Sequence, residues 1–137
     1  MKMSEDCIFC KIIAGQIPCY KVFESEHTLA FLDIGPMVPG HTVVIPKKHF
    51  FTFEDMPSVE LQPFFADLQK VCKILKEKLN ADGYNIVQNN YRAAGQLVKH
   101  AHYHILPRKT GDGIDLVKKT PEFATDEEIK KVFAKLQ

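Results

Sequence analysis

Three histidines recur at every second position in the segment Lys99–Arg108, Lys-His-Ala-His-Tyr-His-Ile-Leu-Pro-Arg. Because side chains on a β-strand point alternately to its two faces, His100, His102 and His104 would line one face of a strand. The residues between them are apolar and suit a core on the opposite face. Half of the chain's 6 histidines lie in this short segment, so the pattern predicts a site in which imidazoles act together.

Such a row of imidazoles has three explanations: a chance cluster on a solvated face, a metal site, or a site that handles phosphate. Neutral imidazole can attack phosphorus or donate hydrogen bonds to phosphoryl oxygens. The preceding loop favours phosphate, since Asn89 and Gln96 supply amide donors and Gly95 allows a close backbone approach. No carboxylate occurs between Asp82 and Asp112. The sequence therefore predicts an anion site here.

A second candidate site is the Cys-x-x-Cys pair formed by Cys7 and Cys10. In a compartment that keeps thiols reduced, this spacing is typical of metal binding or redox chemistry. A tetrahedral zinc site needs two more ligands, and His49 and His100 can supply them. The alternative is a pair of half-buried thiols in a short helix. The spacing alone leaves both interpretations open.

Composition restricts the class of protein. The chain has 137 residues, 45% hydrophobic and 26% charged, with a net charge of +1, and we expect a single domain over residues 1–137. The small charge argues against nonspecific nucleic-acid binding. The N-terminus lacks the apolar core of a signal peptide, and no run reaches membrane-spanning length. We therefore expect a cytoplasmic protein with neither nucleic acid nor membrane as a partner.

The apolar periodicity predicts an α+β domain, with an antiparallel sheet of about five strands, one long helix and short terminal helices. The long helix is predicted to begin at Pro57 and Ser58, with Ser58 as N-cap, and to end near Asn80 to Gly83. Thr125 and Glu128 form a capping-box pattern at the start of the last helix. The predicted strands cover residues 20–24, 29–34, 41–46, 84–88 and 96–106, and the short helices cover 7–14 and 127–136.

The segment His100–Leu106 matches the pattern His-apolar-His-apolar-His-apolar-apolar, and on this basis the chain resembles the histidine triad (HIT) family. It is most similar to the bacterial Hint-like branch. The resemblance covers nearly the whole chain and implies a HIT-like fold. Four further blocks resemble those of the family in the same order: Cys7–Gly15, Phe31–Ile34, Pro39–Lys47 and Asn89–Gln96.

The resemblance implies a nucleotide hydrolase or transferase that acts at the α-phosphate of purine nucleotides, on phosphoramidates or other AMP conjugates. His102 would be the nucleophile and form a transient nucleotidyl-histidine. His104, Asn89 and Gln96 would contact the phosphoryl oxygens, and Asp33 the ribose hydroxyls. The apolar clamp for the purine would consist of Ile8, Phe9, Ile12, Phe31 and Ile34.

The resemblance also implies a structural zinc held by Cys7, Cys10, His49 and His100, and a homodimer joined through the long helix and strand 84–88. Leu97 departs from the family pattern, because Hint enzymes commonly carry there a serine that assists the leaving group. Three alternatives stay open. They are a dinucleoside polyphosphate hydrolase, a zinc-stabilised nucleotide-binding module with little turnover, and a metal-dependent hydrolase that uses the three histidines as ligands.

Overall fold

Five antiparallel strands form one sheet in the order β1-β2-β3-β5-β4, as the α+β prediction requires. The structure is a computed structural model and describes residues 6–116 and 122–137. The strands are β1 (Lys21–Glu24), β2 (Thr28–Leu32), β3 (Thr42–Pro46), β4 (Gly83–Gln88) and β5 (Tyr103–Arg108). The helices are α1 (Ile8–Ile13), α2 (Ser58–Lys78) and α3 (Asp126–Lys135). Within the described ranges, no helix is long and apolar enough to cross a membrane.

The sheet has a helix on each face. Ala30 of β2 and Val44 of β3 belong to a buried cluster with α2. Their sequence neighbours Phe31 and Val43 point the other way and belong to a second buried cluster with α1. Since successive strand residues face opposite sides, a strand buried on both faces reads as a continuous apolar run. This explains why all five residues of β3 are buried.

The long helix α2 buries one apolar stripe, formed by Phe64, Leu68, Val71, Cys72 and Leu75. The prediction of Ser58 as N-cap is wrong. Pro57 occupies the N-cap position with extended backbone (φ −70°, ψ 156°) and makes no side-chain capping bond, and Ser58 is the first helical residue. A proline's fixed φ and missing N–H suit a helix start, because the first N–H groups have no partner within the helix.

The predicted strand 96–106 is also corrected, because β5 begins only at Tyr103 and continues to Arg108. The preceding residues belong to a loop, in which the Ala101 N–H donates to the Phe50 carbonyl at 2.7 Å. Pro107 does not end the strand. Its pairing with Tyr84 places it beside β4, whereas β3 pairs with β5 only as far as Ile105. A missing N–H is tolerated where a strand has no neighbour on that side.

The alternation predicted from the sequence survives this correction. Ala101, Tyr103 and Ile105 belong to the buried cluster on the α2 face. His102 and His104 instead line a cavity together with residues of α1. The strand itself therefore carries only His104, and the loop before it presents the other two histidines.

Candidate functional site

A cavity of about 610 Å³ opens on the α1 face of the sheet. Its size is typical of a pocket for a small ligand. Eight of the predicted site residues line it: Ile8, Phe9, Ile12, Phe31, Asp33, Ile34, His102 and His104. Cys19 and Tyr20 also line the cavity, although neither belongs to a motif that could have predicted this. The walls are mainly apolar and suit a flat hydrophobic group.

His102 is held in one tautomer by the backbone. It is 6% exposed, and its Nδ1 lies 2.7 Å from the His100 carbonyl oxygen. A carbonyl only accepts hydrogen bonds, so Nδ1 must carry the hydrogen and Nε2 must carry the lone pair. Burial lowers the pKa of His102, which keeps the imidazole neutral near pH 7. The cavity therefore contains a neutral, unprotonated ring nitrogen that can act as a nucleophile.

His104 receives the opposite tautomer through a chain of hydrogen bonds. The Met37 N–H donates to His41 Nδ1 at 3.1 Å, so the hydrogen of neutral His41 lies on Nε2. His41 Nε2 lies 2.9 Å from His104 Nδ1 and donates to it, which leaves the hydrogen of His104 on its own Nε2. Burial, then the neighbouring His102 and His41, lower the pKa of His104 to about 4. His104 is thus a neutral donor.

His41 was missed by the sequence interpretation, which treated it only as the first residue of a strand. It is 4% exposed, and burial lowers its pKa. The available signal was a titratable side chain directly before a mainly apolar strand, because a buried histidine needs hydrogen-bond partners.

Asp33 is the carboxylate among the described residues that line the cavity. Its Oδ1 accepts the Gly35 N–H at 2.8 Å, and its Oδ2 lies 3.6 Å from His41 Nε2. The side chain is 28% exposed, so lone pairs stay accessible for hydroxyl donors. A diol is the kind of group that one carboxylate can bind through both oxygens.

The loop between β4 and β5 brings backbone close to the cavity at Gly95. Gly95 has φ +96°, a conformation that glycine adopts without strain, and a Cβ there would lie 3.8 Å from Asn89 Nδ2. The Asn89 amide therefore lies beside the stretch of loop that lines the cavity. Asn89 itself is not among the residues that line it.

The structure places Gln96 differently from the prediction. Gln96 is 5% exposed, and its Nε2 donates to the carbonyls of Phe51 at 2.7 Å and Val98 at 3.0 Å. Its Oε1 accepts the Tyr91 N–H at 2.8 Å. Both amide hydrogens are therefore used inside the protein, and the side chain braces the loop instead of facing a phosphate.

Gln96 also holds Tyr91, whose backbone is strained. Tyr91 has φ 70° and ψ 156°, a region that residues other than glycine rarely adopt and that costs about 1–3 kcal/mol. Besides its bond to Gln96, the Tyr91 ring packs against Phe51 with centroids 5.7 Å apart, and its hydroxyl donates to Glu54. The surrounding contacts therefore fix the path of the loop before any ligand binds.

The four predicted metal ligands converge at a second centre. The ligand atoms of Cys7, Cys10, His49 and His100 all lie within 4.8 Å of one another. Cys10 Sγ is 3.2 Å from His49 Nδ1, Cys7 Sγ is 3.4 Å from His100 Nδ1, and the two Nδ1 atoms are 3.1 Å apart. A zinc ion about 2.3 Å from sulfur and about 2.0 Å from nitrogen in a tetrahedron separates its ligands by roughly 3.3–3.8 Å. The cluster fits such an ion closely.

The local chemistry also suits a metal. His100 Nε2 donates to the Pro46 carbonyl at 2.8 Å, which leaves Nδ1 unprotonated and facing the thiols. Burial lowers the pKa of His100 to about 4 and lowers that of His49, so both rings are neutral and able to ligate. Cys7 is also the N-cap of α1, and its Sγ accepts the Cys10 N–H at 3.3 Å.

The three histidines of the row do not share one centre. The ring of His100 belongs to the thiol cluster, while that of His104 lies with Asp33 and His41 in a second group of possible ligands. A metal site made from all three histidines does not match this arrangement. The two centres are joined through His100, whose ring enters the cluster while its carbonyl fixes His102.

Leu97 borders the cavity that contains His102 and His104. It is 86% exposed and lines both the main cavity and a second cavity of about 590 Å³, which is also bordered by Lys99 and His49. A leucine side chain offers neither a donor nor an acceptor. This position therefore contributes only apolar surface to the two cavities.

Comparison with known proteins gives a consistent result. The family model described as the HIT domain matches residues 14–111. An uncharacterized HIT-like protein of Methanocaldococcus jannaschii is 58% identical over 107 residues, which cover 78% of this chain and 82% of that protein. A Candida albicans protein named adenosine 5′-monophosphoramidase is 39% identical over 145 residues, covering 100% of this chain and 93% of its own.

A solved structure shows the same architecture. The crystal structure of a Streptococcus mutans UA159 protein superposes with a TM-score of 0.89 at 39% sequence identity. The match covers 99% of this chain and 87% of that chain. The fold is therefore shared over nearly the full length, including α3.

Proposed function

This chain belongs to the HIT family, and we propose that it hydrolyses AMP conjugates at the α-phosphate through a nucleotidyl intermediate on His102. The Candida albicans relative, named adenosine 5′-monophosphoramidase, supports phosphoramidates as one substrate class. The observation that carries the proposal is the 2.7 Å contact between His102 Nδ1 and the His100 carbonyl. It leaves Nε2 as the nucleophilic nitrogen in a cavity with nucleotide-like chemistry.

In the first step, His102 Nε2 attacks phosphorus, a P–N bond forms, and the bond to the leaving group breaks with its electron pair departing. In the second step, water attacks phosphorus and the P–N bond breaks. AMP and neutral His102 result, with the water proton released to solvent. His104 Nε2–H donates to a phosphoryl oxygen throughout, and a fixed neutral donor stabilises the charge that develops there.

The cavity residues account for the nucleoside. Phe9 packs edge-on against Phe31 with centroids 5.7 Å apart, and with Ile8 these rings form apolar walls for a purine. Asp33 accepts the ribose hydroxyls with the oxygen lone pairs that its bond to Gly35 leaves available.

Leu97 limits the leaving group. An amine departs well only when it gains a proton, and leucine cannot donate one. We expect Leu97→Ser to raise the turnover of an adenosine phosphoramidate by about tenfold, while leaving conjugates with an anionic leaving group within about twofold. An equal effect on both classes would contradict this role.

A single-turnover experiment tests the proposed function. Protein incubated with adenosine phosphoramidate, radiolabelled at phosphorus, should acquire an acid-labile label that disappears in His102→Ala. His27→Ala is the matched control, since His27 lies in the turn before β2 and does not line the cavity. No label in the unmodified protein, together with intact AMP binding, would refute the enzyme and favour a binding module.

We further propose that Cys7, Cys10, His49 and His100 hold one zinc ion per chain. Four protein ligands complete a tetrahedron, so the metal would be structural and would tie α1 to the loop before β5. Reduced thiolates are needed for this role, which fits the cytoplasm, where we propose the protein works.

Purified protein should contain about one equivalent of zinc. Cys7→Ser with Cys10→Ser should abolish it, and Cys19→Ser should not. Full zinc content in the double variant would rule out this ligand set.

We also propose a homodimer joined at β4, one of the two edge strands of the sheet. Its residues Tyr84 and Ile86 are 41% and 50% exposed, and an edge strand with exposed apolar residues can pair with a second strand.

Light scattering on the protein as it elutes from a gel-filtration column should give twice the chain mass. Ile86→Asp should shift it toward the single-chain mass, whereas Asp82→Asn, just before the strand, should not. A single-chain mass for the unmodified protein at all concentrations would refute the dimer.

A further inference from the structure

The C-terminal helix α3 presents an apolar stripe that the described residues of this chain do not cover. Ile129, Val132, Phe133 and Leu136 recur at three- and four-residue spacing and are 55–75% exposed. All ten residues of the helix are exposed. Phe123, just before it, is 93% exposed. Such a stripe is the pattern of a helix that packs against another surface.

This helix is too short to be stable through its own hydrogen bonds. Isolated helices shorter than about 12–15 residues are marginal in water, and α3 has 10 residues. Its capping box, in which Thr125 Oγ1 accepts the Glu128 N–H at 3.2 Å, supports only the first turn. The stripe must therefore gain its stability from a contact outside the described parts of its own chain.

The path of the chain indicates where that contact lies. After β5, Arg108 donates to Asn85 of β4 at 2.9 Å, and the Thr110 N–H donates to Asp82, just before β4, at 2.8 Å. The chain thus leaves the sheet beside β4, the edge at which a second copy would join. Residues 108–110 therefore lie close to the surface on which a second copy would pack.

The charges on α3 match the outer face of α2. The first turn of α3 carries Asp126, Glu127 and Glu128, and lysines follow at 130, 131 and 135. Along α2 the order is the same, with Glu60, which pairs with Lys48, in the first turn and Lys70, Lys73, Lys76 and Lys78 in the second half. Two helices packed antiparallel would place opposite charges together. In its first half α2 exposes Val59 and Phe65, at 77% and 37%.

We propose that α3 is an exchanged arm, which docks its apolar stripe antiparallel on α2 of a second copy of this chain. The inference rests on the homodimer proposed above and adds the element that would stabilise it. It makes residues 126–135 an interface segment whose order depends on assembly.

Hydrogen exchange measured by mass spectrometry over a range of protein concentrations tests the arm. Amides of 126–135 should exchange slowly at concentrations that give dimer and at least tenfold faster after dilution to the single chain. The body of the protein outside β4 and α2, which belong to the proposed interface, should keep its protection at both concentrations. Fast exchange of α3 in a proven dimer overturns the arm and leaves the dimer intact. Protection that persists in the single chain overturns it as well.

A matched pair of variants adds an independent readout. Val132→Asp places a charge in the stripe, and Ala134→Asp places the same charge on the opposite face of α3. The first should weaken the dimer at least about tenfold, and the second should change its dissociation constant by less than about twofold. Equal effects of the two variants contradict the proposal. A single-chain mass for the unmodified protein at every concentration refutes the dimer and the arm together.

Discussion

The two faces of the sheet receive opposite kinds of side chain from one short segment. Between His100 and Ile105, the alternate residues Ala101, Tyr103 and Ile105 enter the cluster under α2. The histidines between them serve the thiol cluster and the cavity on the side of α1. Residues that stabilise the core and residues that can do chemistry therefore alternate along one segment of the chain.

The difference between the faces follows from what covers each one. The 21-residue helix α2 seals its face with a continuous apolar stripe, whereas α1 has 6 residues and leaves a cavity beside it. A titratable group buried under α2 would lower the stability of the fold. Beside α1 such a group is useful, because burial keeps the imidazoles of the cavity neutral. Substitutions at adjacent residues should therefore have effects of different kinds.

The largest expected effect comes from His102→Asn on the cavity face. Asparagine can keep a polar group near the position of Nδ1 but has no counterpart of the nucleophilic Nε2. Turnover should fall by about 10⁴-fold, equivalent to about 5.5 kcal/mol, because no covalent intermediate can form. The urea midpoint should stay close to that of the unmodified protein. A residual rate within about tenfold would contradict the assignment of the nucleophile.

The reverse pattern is expected for Ile105→Ala on the α2 face. Ile105 is fully buried in the cluster of that face, and truncating it should lower the free energy of unfolding by about 2–5 kcal/mol. Urea denaturation measures this loss. The turnover number of the folded protein should change by less than about twofold. A large loss of turnover at full stability would mean that the two faces are coupled.

The pH dependence of stability should come from the cavity face. The pKa of His104 is about 4 in the folded protein, against 6.5 for an unperturbed imidazole. Between these values the unfolded chain binds more protons, so this stabilisation is complete above pH 6.5 and is lost as the pH falls toward 4. His104→Asn should reduce the slope of unfolding free energy by up to about 1.4 kcal/mol per pH unit. An unchanged slope, with His27→Asn as control, would argue against this source.

The smallest expected effect is a gain in stability from Tyr103→Phe. The Tyr103 hydroxyl is buried without a hydrogen-bond partner among the described residues, within the aromatic cluster of Phe64 and Phe65. Removing an unsatisfied buried hydroxyl should raise the free energy of unfolding by about 1 kcal/mol. A loss of stability would indicate that the hydroxyl has a partner outside the described residues.

Most of the architecture could be predicted because it follows from local periodicity. The sheet, the long helix and the sidedness of residues 100–105 all rest on period-two or period-3.6 patterns. The start of β5 could not, because residues 96–102 have strand-like alternation but are held by contacts distant in sequence, such as that between Ala101 and Phe50. Local pattern does not contain such contacts.

The role of a site residue could be predicted where it depends on the residue type. It could be predicted less well where it depends on how the side chain is oriented. The cavity residues were expected from the resemblance to the HIT family, and the four converging ligands from the Cys-x-x-Cys spacing together with that resemblance. The role of Gln96 was not expected, because its amide is consumed by Phe51, Val98 and Tyr91, which only the folded loop brings together. His41 was overlooked for the same reason, since its significance depends on contacts with Met37 and His104.

The alternation at His100–Ile105 also limits how the chain can change in length. Inserting or deleting one residue just before Tyr103 would exchange the two faces, placing imidazoles beneath α2 and apolar groups in the cavity. Both functions of the segment would fail at once, although its composition would hardly differ. We therefore expect this segment to accept substitutions but no change in length, and insertions to be accepted in loops that join elements without setting their register.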